Sequence, residues 1–324
     1  MCAFSFPWRS RRLVLLAGLS VLGLSLARPA AAQNPGSAQD RADLVRTTAE
    51  LREDPSIDAT GTDSSHAVAS PNDPDLGEQA ILKREENYQA WTFFAAAPFS
   101  YTSNVALVRS GEQGDGLFSP ALGLTYAPRI SKTLYANFGL SQQFFYYDNF
   151  RELNFASFDL RAGLVYTLPR LHNLLLRADY DFNRLSSDDL NDEFFTNHSL
   201  NFGAELPFRI GRAQQISVGG DVSFSVAASP SPPARNDYSA FVGYSVNLTR
   251  DLTMNAVARV AVRDYVDSNR TDVSGIFGLG ANFRFNKWLS VSANTTYATN
   301  ASNRDVFEYD VFNIGGALSV NVRF

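Results

Sequence analysis

From Gln89 to Phe324 apolar and polar residues alternate with a period of two. That period puts successive side chains on opposite faces of an extended chain. It is incompatible with a helix, whose apolar positions recur every three to four residues. Twelve segments carry the pattern: 89–105, 116–128, 133–147, 155–168, 173–184, 195–208, 215–226, 238–249, 252–265, 273–285, 289–299 and 311–324. In 155–168, Ala156, Phe158, Leu160, Ala162, Leu164, Tyr166 and Leu168 share one face, and Ser157, Asp159, Arg161, Gly163 and Thr167 share the other. Segments 215–226 and 238–249 repeat it, with Ile216, Val218, Val222, Phe224 and Val226 set against Ser217, Asp221, Ser223 and Ser225 in the first of them.

The connectors are sorted by length. Gaps 106–115, 148–154, 185–194, 227–237, 266–272 and 300–310 are long and rich in Asp, Asn, Ser and Gly. The gaps between them, 129–132, 169–172, 209–214, 250–251 and 286–288, are short. Long loops at one end and short turns at the other predict an all-β, up-and-down antiparallel barrel of about twelve strands that crosses a membrane, with the short turns in the periplasm. A soluble sandwich has no reason to sort its loops in this way. An even, closed barrel also leaves no bare strand edge.

Composition fits this reading. Aromatic residues make up 13% of the 324, yet mean hydropathy is only −0.16. A helical membrane protein would be more hydrophobic and a disordered chain less aromatic. A pI near 5.3 and a net charge of −5 argue against a nucleic-acid partner. Two bands of aromatics suit the two membrane–water interfaces. Tyr126, Tyr166, Phe208, Phe285, Trp288 and Phe324 lie near the short turns. Tyr101, Phe118, Tyr146, Phe158, Phe182, Phe224, Tyr238 and Tyr297 lie near the long loops.

The N-terminus reads differently. Arg9, Arg11 and Arg12 precede an apolar run from Leu13 to Ala27, and Ala30-Ala31-Ala32 follows. This is the pattern of a cleaved secretory signal peptide over residues 1–32. Cys2, the single cysteine, precedes the apolar run, so the exported chain would hold no thiol. Residues 33–88 then carry twelve acidic and five basic side chains and four prolines. They are predicted to be a polar linker or plug, with short helices near Asp40–Glu53 and Leu76–Tyr88. His66 has no neighbouring metal-ligand partner in sequence, and no cofactor or metal site is expected.

The last segment runs Ile314-Gly315-Gly316-Ala317-Leu318-Ser319-Val320-Asn321-Val322-Arg323-Phe324. Val320, Val322 and the terminal Phe324 resemble the insertion signature of bacterial outer-membrane β-barrel proteins, which their assembly machinery recognises. The resemblance covers 89–324 at the level of pattern and implies a porin-like barrel in the outer membrane of a Gram-negative cell. It also implies surrounding lipid and lipopolysaccharide, and contact with the barrel assembly machinery during biogenesis. A periplasmic partner of 33–88 is a further expectation.

If the apolar face meets lipid, the polar face lines the lumen. Its charges are Asp159, Arg161, Arg177, Asp179, Asp181, Glu205 and Asp221 on one wall, and Arg259, Arg263, Arg284 and Arg323 on the other. A regular hairpin at 169–172 would set Arg161 against Asp179. The acidic N-segment is expected to enter as a helix or plug, drawn to the four arginines of the basic wall. The predicted function is passive diffusion of small hydrophilic solutes, without catalysis. The alternatives are a structural or surface-display barrel, and a membrane-embedded lipid hydrolase. For the last, Asn197-His198-Ser199 is the one candidate, but adjacent strand residues point to opposite faces. In outer-membrane phospholipase A the His and Ser stand two apart.

Overall fold

The computed structural model describes residues 34–50, 88–211 and 213–324. The signal-peptide reading, His66 and almost all of the second predicted helix lie outside these residues. One helix, α1 (Pro35–Glu50), precedes thirteen strands: β1 (Trp91–Thr102), β2 (Asp115–Phe118), β3 (Ala121–Tyr126), β4 (Leu134–Tyr147), β5 (Phe155–Leu168), β6 (Leu174–Ser186), β7 (Glu193–Arg209), β8 (Gln214–Ser229), β9 (Arg235–Asn247), β10 (Leu252–Tyr265), β11 (Thr271–Arg284), β12 (Leu289–Ser302) and β13 (Tyr309–Arg323). The described residues fall in one compact unit.

The strands make a single antiparallel sheet in which each pairs with its sequence neighbours, and β13 closes onto β1. β2 and β3 are two halves of one strand. Phe118 pairs with Phe99 and Ala121 with Ala96, so the register is continuous across the break. Pro120 has no N–H to donate at this point, although its carbonyl accepts from the Phe144 amide at 2.9 Å. The barrel therefore has twelve strands, as the periodicity predicts.

The apolar face is outside. Leu160, Leu164, Phe202, Val218, Val242, Val260, Phe277, Leu279, Ile314 and Leu318 are all exposed on the outer wall. A strand that hid its apolar face in a core would bury these positions, so the alternation serves lipid rather than a packed interior. The aromatics join into bands. Tyr126 stacks on Trp91, whose ring lies parallel to that of Phe324, at the short-turn end. Phe99 stacks on Phe118 at the long-loop end, and Phe224 meets Tyr238 edge-on. Val320, Val322 and Phe324 take the outward parity, with Val322 and Phe324 exposed. The main chain of Phe324 exchanges two 3.1 Å hydrogen bonds with Trp91, so these three residues sit at the closing seam.

Loop sorting is weaker than the sequence predicts. At the long-loop end the connectors span five to twelve residues, and at the other end four to seven. The strands run further than the polar composition suggests. The predicted loop 227–237 shrinks to 230–234, because β8 continues to Ser229 and β9 begins at Arg235. The turn after β5 is wider than a regular hairpin. It takes a short 3-10 turn at Pro169–Leu171, then His172 and Asn173 in the left-handed region at φ 55° and 61°.

Candidate functional site

The turn runs one residue further than expected, to Asn173, and Leu168 pairs with Leu174. Arg161 stands opposite Asp181, and Gly163 opposite Asp179. The predicted Arg161–Asp179 partnership is thus corrected. Arg161 Nε donates to Asp181 at 2.9 Å. Gly163 has its own reason to lack a side chain: a Cβ there would collide with the Asp179 carboxylate and lie 2.6 Å from the Ala178 carbonyl. On the same wall Arg177 pairs with Asp221 at 2.8 Å, and Asn201 donates to Asp181 at 2.6 Å. Glu205 follows the same parity nearer the short turns. The acidic wall thus carries its own counter-charges, and a simple division into acidic and basic halves does not hold.

On the facing wall, Arg259, Arg263 and Arg323 border the lumen cavity. The Arg259 guanidinium lies 5.5 Å from the Phe241 ring centre. Phe241 points inward, and so does Phe94; neither was anticipated. Gly219 leaves the room for Phe241, whose ring a Cβ would meet at 2.5 Å. Arg284 is at the rim, where it donates to the Arg250 carbonyl at 2.9 Å.

The main feature of the lumen is α1. Asn34 accepts from the Gly36 amide at 3.1 Å and Pro35 begins the first turn, a start signal of N-cap followed by proline. From Pro35 to Ala49 no residue is exposed. A helix with no exposed face is normally apolar, yet this one is rich in charged and hydroxyl side chains. The explanation is that it sits in a polar lumen. Ala38 and Ala42 are fully covered by Phe145, Phe155, Leu185 and Phe195 near the ends of β4 to β7. Leu44 packs with Ile276, Ala298, Tyr309 and Val311 of β11 to β13 and with Leu107. Arg41 lies 5.6 Å from the Phe155 ring centre. These contacts encircle the helix at the long-loop end of the barrel.

Charge fixes its rotation. Arg235, only 2% exposed, donates to Asp40 at 2.6 Å, to Asp43, and through Nε to Asp237. Arg263 reaches Asp40 at 3.2 Å. On the opposite wall, Arg46 bonds Asp159 at 2.7 Å and Ser157 at 3.1 Å. Burial raises the pKa of Asp43, but Arg235, Arg46 and Arg263 outweigh it and hold the carboxyl below the usual carboxylate range. Burial has the opposite result at Arg41, whose guanidinium it lowers. A helix of the acidic N-segment thus lies in the lumen, starting at Pro35 rather than Asp40. Of the four arginines expected to attract it, Arg263 meets Asp40 at 3.2 Å, and Arg235, which was not among them, takes the leading part. Arg235 was missed because Pro230, Pro232 and Pro233 make its surroundings read as loop. The signal was the parity of Arg235, Asp237 and Ser239.

Beside and beyond α1 lies a cavity of about 760 Å³. Its wall runs from Asp237 and Ser274 near the long loops to Thr92, Asn321 and Arg323 near the other end, and includes Asp159, Arg161, Arg177, Asp179, Asp181 and Asp221. Among the described residues no group of His, Cys, Asp and Glu could hold a metal. His198 faces outward, with Nδ1 2.6 Å from the Tyr180 hydroxyl and its ring against Phe182. Ser199 is buried on the other face of β7, beyond a register shift. The two do not form a nucleophile–base pair.

No protein-family model matches the sequence, and no curated protein does. Among solved structures, an outer-membrane channel from Pseudomonas putida F1 is similar, with a TM-score of 0.52 and 13% identity over 72% of this chain and 96% of that one. The translocator domain of the autotransporter NalP from Neisseria meningitidis gives a TM-score of 0.42 and 14% identity over 74% and 90%. The first likeness is one of fold, that of bacterial outer-membrane β-barrels.

Proposed function

We propose that this barrel is a porin-like outer-membrane channel for passive diffusion of small hydrophilic solutes, with its long-loop mouth occupied by its own helix α1. The cavity carries this reading. About 760 Å³ of space, with Asp159, Arg161, Arg177 and Asp221 among its lining residues, runs alongside the helix towards the short-turn end, which a barrel serving only as a scaffold has no need to maintain. The fold it shares with a known outer-membrane channel supports the reading. Side-chain pairs such as Arg161–Asp181 hold charge flat against the wall instead of across the lumen, which leaves the centre to water.

The test is conductance in planar bilayers. The full chain should conduct little, and a variant lacking residues 34–50 should give stepwise currents. Heat-modifiable gel mobility would confirm that the variant is a folded barrel. A folded variant that stays silent at high protein load would sink the channel reading. It would favour the second one, a structural barrel, for which the absence of any exposed residue from Pro35 to Ala49 is the supporting observation.

A further inference from the structure

We propose that the wall site which holds Asp40 and Asp43 is a binding site for small dicarboxylates, and that α1 occupies it as an internal competitor. The proposal rests on the channel reading only for how such a solute arrives.

The site is built into two adjacent strands. Arg235 at the start of β9 pairs in register with Tyr265 of β10, and Asp237 with Arg263. Asp237 takes Nε of Arg235 at 3.1 Å, and this fixes the plane of the guanidinium. Both terminal nitrogens then point towards the lumen, one at Asp40 and one at Asp43. Arg263 adds a second donor to Asp40 at 3.2 Å. The Tyr265 hydroxyl stands 3.4 Å from Arg235, and its ring lies under the guanidinium at 5.9 Å. Tyr309 flanks Arg263. Both arginine side chains are at most 6% exposed.

Two guanidiniums against one wall carboxylate leave a positive cup when α1 is elsewhere. A cup of this kind is costly unless an anion fills it. Its present occupant defines the shape: two carboxylates three residues apart on a helix, whose stems are about 5–6 Å apart. A planar guanidinium with two aligned donors suits carboxylate oxygens, and a pair of them suits a solute with a carboxylate at each end. A ligand that binds only the undocked state has its affinity reduced by the fraction of time the site is free. By reciprocity the same ligand drives α1 out.

The experiment is calorimetric titration of the detergent-solubilised full chain with succinate, with acetate and inorganic phosphate as comparison arms. Removing the competing charges in the Asp40→Asn/Asp43→Asn variant should tighten succinate binding by roughly tenfold or more, in proportion to the freed site. Adding Arg263→Gln to that variant should abolish it. Acetate should bind more weakly than succinate. A measurement that needs no variant runs beside it: saturating succinate should speed tryptic cleavage after Arg41 in the wild-type chain. The proposal is overturned if the double variant binds succinate no tighter than wild type, if Arg263→Gln leaves binding intact, or if phosphate binds as well as succinate. None of these readouts depends on transport, so a silent barrel that binds succinate refutes the channel reading and leaves this site standing.

Discussion

Replacing Arg235 by Gln should release α1 from the lumen, and the size of the effect follows from burial. Arg235 is 2% exposed and Asp40 6%, and Arg235 also holds Asp43 and Asp237. Breaking a buried pair by removing one partner costs about 3–5 kcal/mol, because the other charge stays buried and under-compensated. Arg263 still reaches Asp40 at 3.2 Å, so the lower part of that range applies. At about 1.4 kcal/mol per tenfold, the population with α1 undocked should rise by roughly two orders of magnitude. Arg41, 6% exposed when docked, then becomes a trypsin site. When opening is fast relative to cleavage, the cutting rate follows the undocked population. The assay is therefore the rate of cleavage between Arg41 and Ala42, read by mass spectrometry on barrels whose gel mobility shows them folded. A rate within about threefold of wild type would refute the assignment of Arg235 as the principal hold on the helix, since that corresponds to well under 1 kcal/mol.

Three further outcomes are expected. Arg46→Ala removes a pair with 37% and 32% of its side chains exposed, so cleavage at Arg41 should rise by no more than about fivefold, the equivalent of about 1 kcal/mol. Acid should free the helix: docked Asp43 has its carboxyl held below the usual range, whereas in the released segment it should titrate near about 3.9. The docked state thus binds fewer protons, its contribution is complete above that value and is lost as pH falls through the docked one. Conductance should rise on acidification, and Asp43→Asn should flatten that rise; an unchanged pH profile in the variant would count against it. Gly163→Ala places a methyl against the Asp179 carboxylate and 2.6 Å from a backbone carbonyl, an overpacking that costs about 1–3 kcal/mol. The heat-modifiable band should then melt at lower temperature; an unaltered midpoint would mean the wall yields.

Strand number and the outward face were legible because a membrane imposes one rule along every strand. Leu160, Val218 and Val242 obey it without exception for context. The lumen was only half legible, because nothing so uniform governs it. Arg161 was assigned to the wrong aspartate, since left-handed His172 and Asn173 lengthen a turn that contains no Gly. Arg235 was hidden by neighbouring prolines. Phe94 and Phe241 break the polar rule for the inner face, and only the space over Gly123 and Gly219 accounts for them. An attraction of the acidic N-segment to lumen arginines was readable from net charge. Its docking site was not, because opposite charge says that two groups attract without saying which pair meets.

The encirclement of α1 bears on the order in which the molecule is made. Its seat needs Phe145 and Phe155 from the first strands, Arg235 and Arg263 from the middle, and Tyr309 and Val311 from the last. Those contacts lie far apart in sequence, and their cost in loop closure is met only once the sheet has joined β13 to β1. Until that seam forms, the helix has no complete partner. A seated α1 is therefore a mark of finished assembly, and its protection from protease registers closure of a seam whose second strand, β13, lies more than two hundred residues away in the chain.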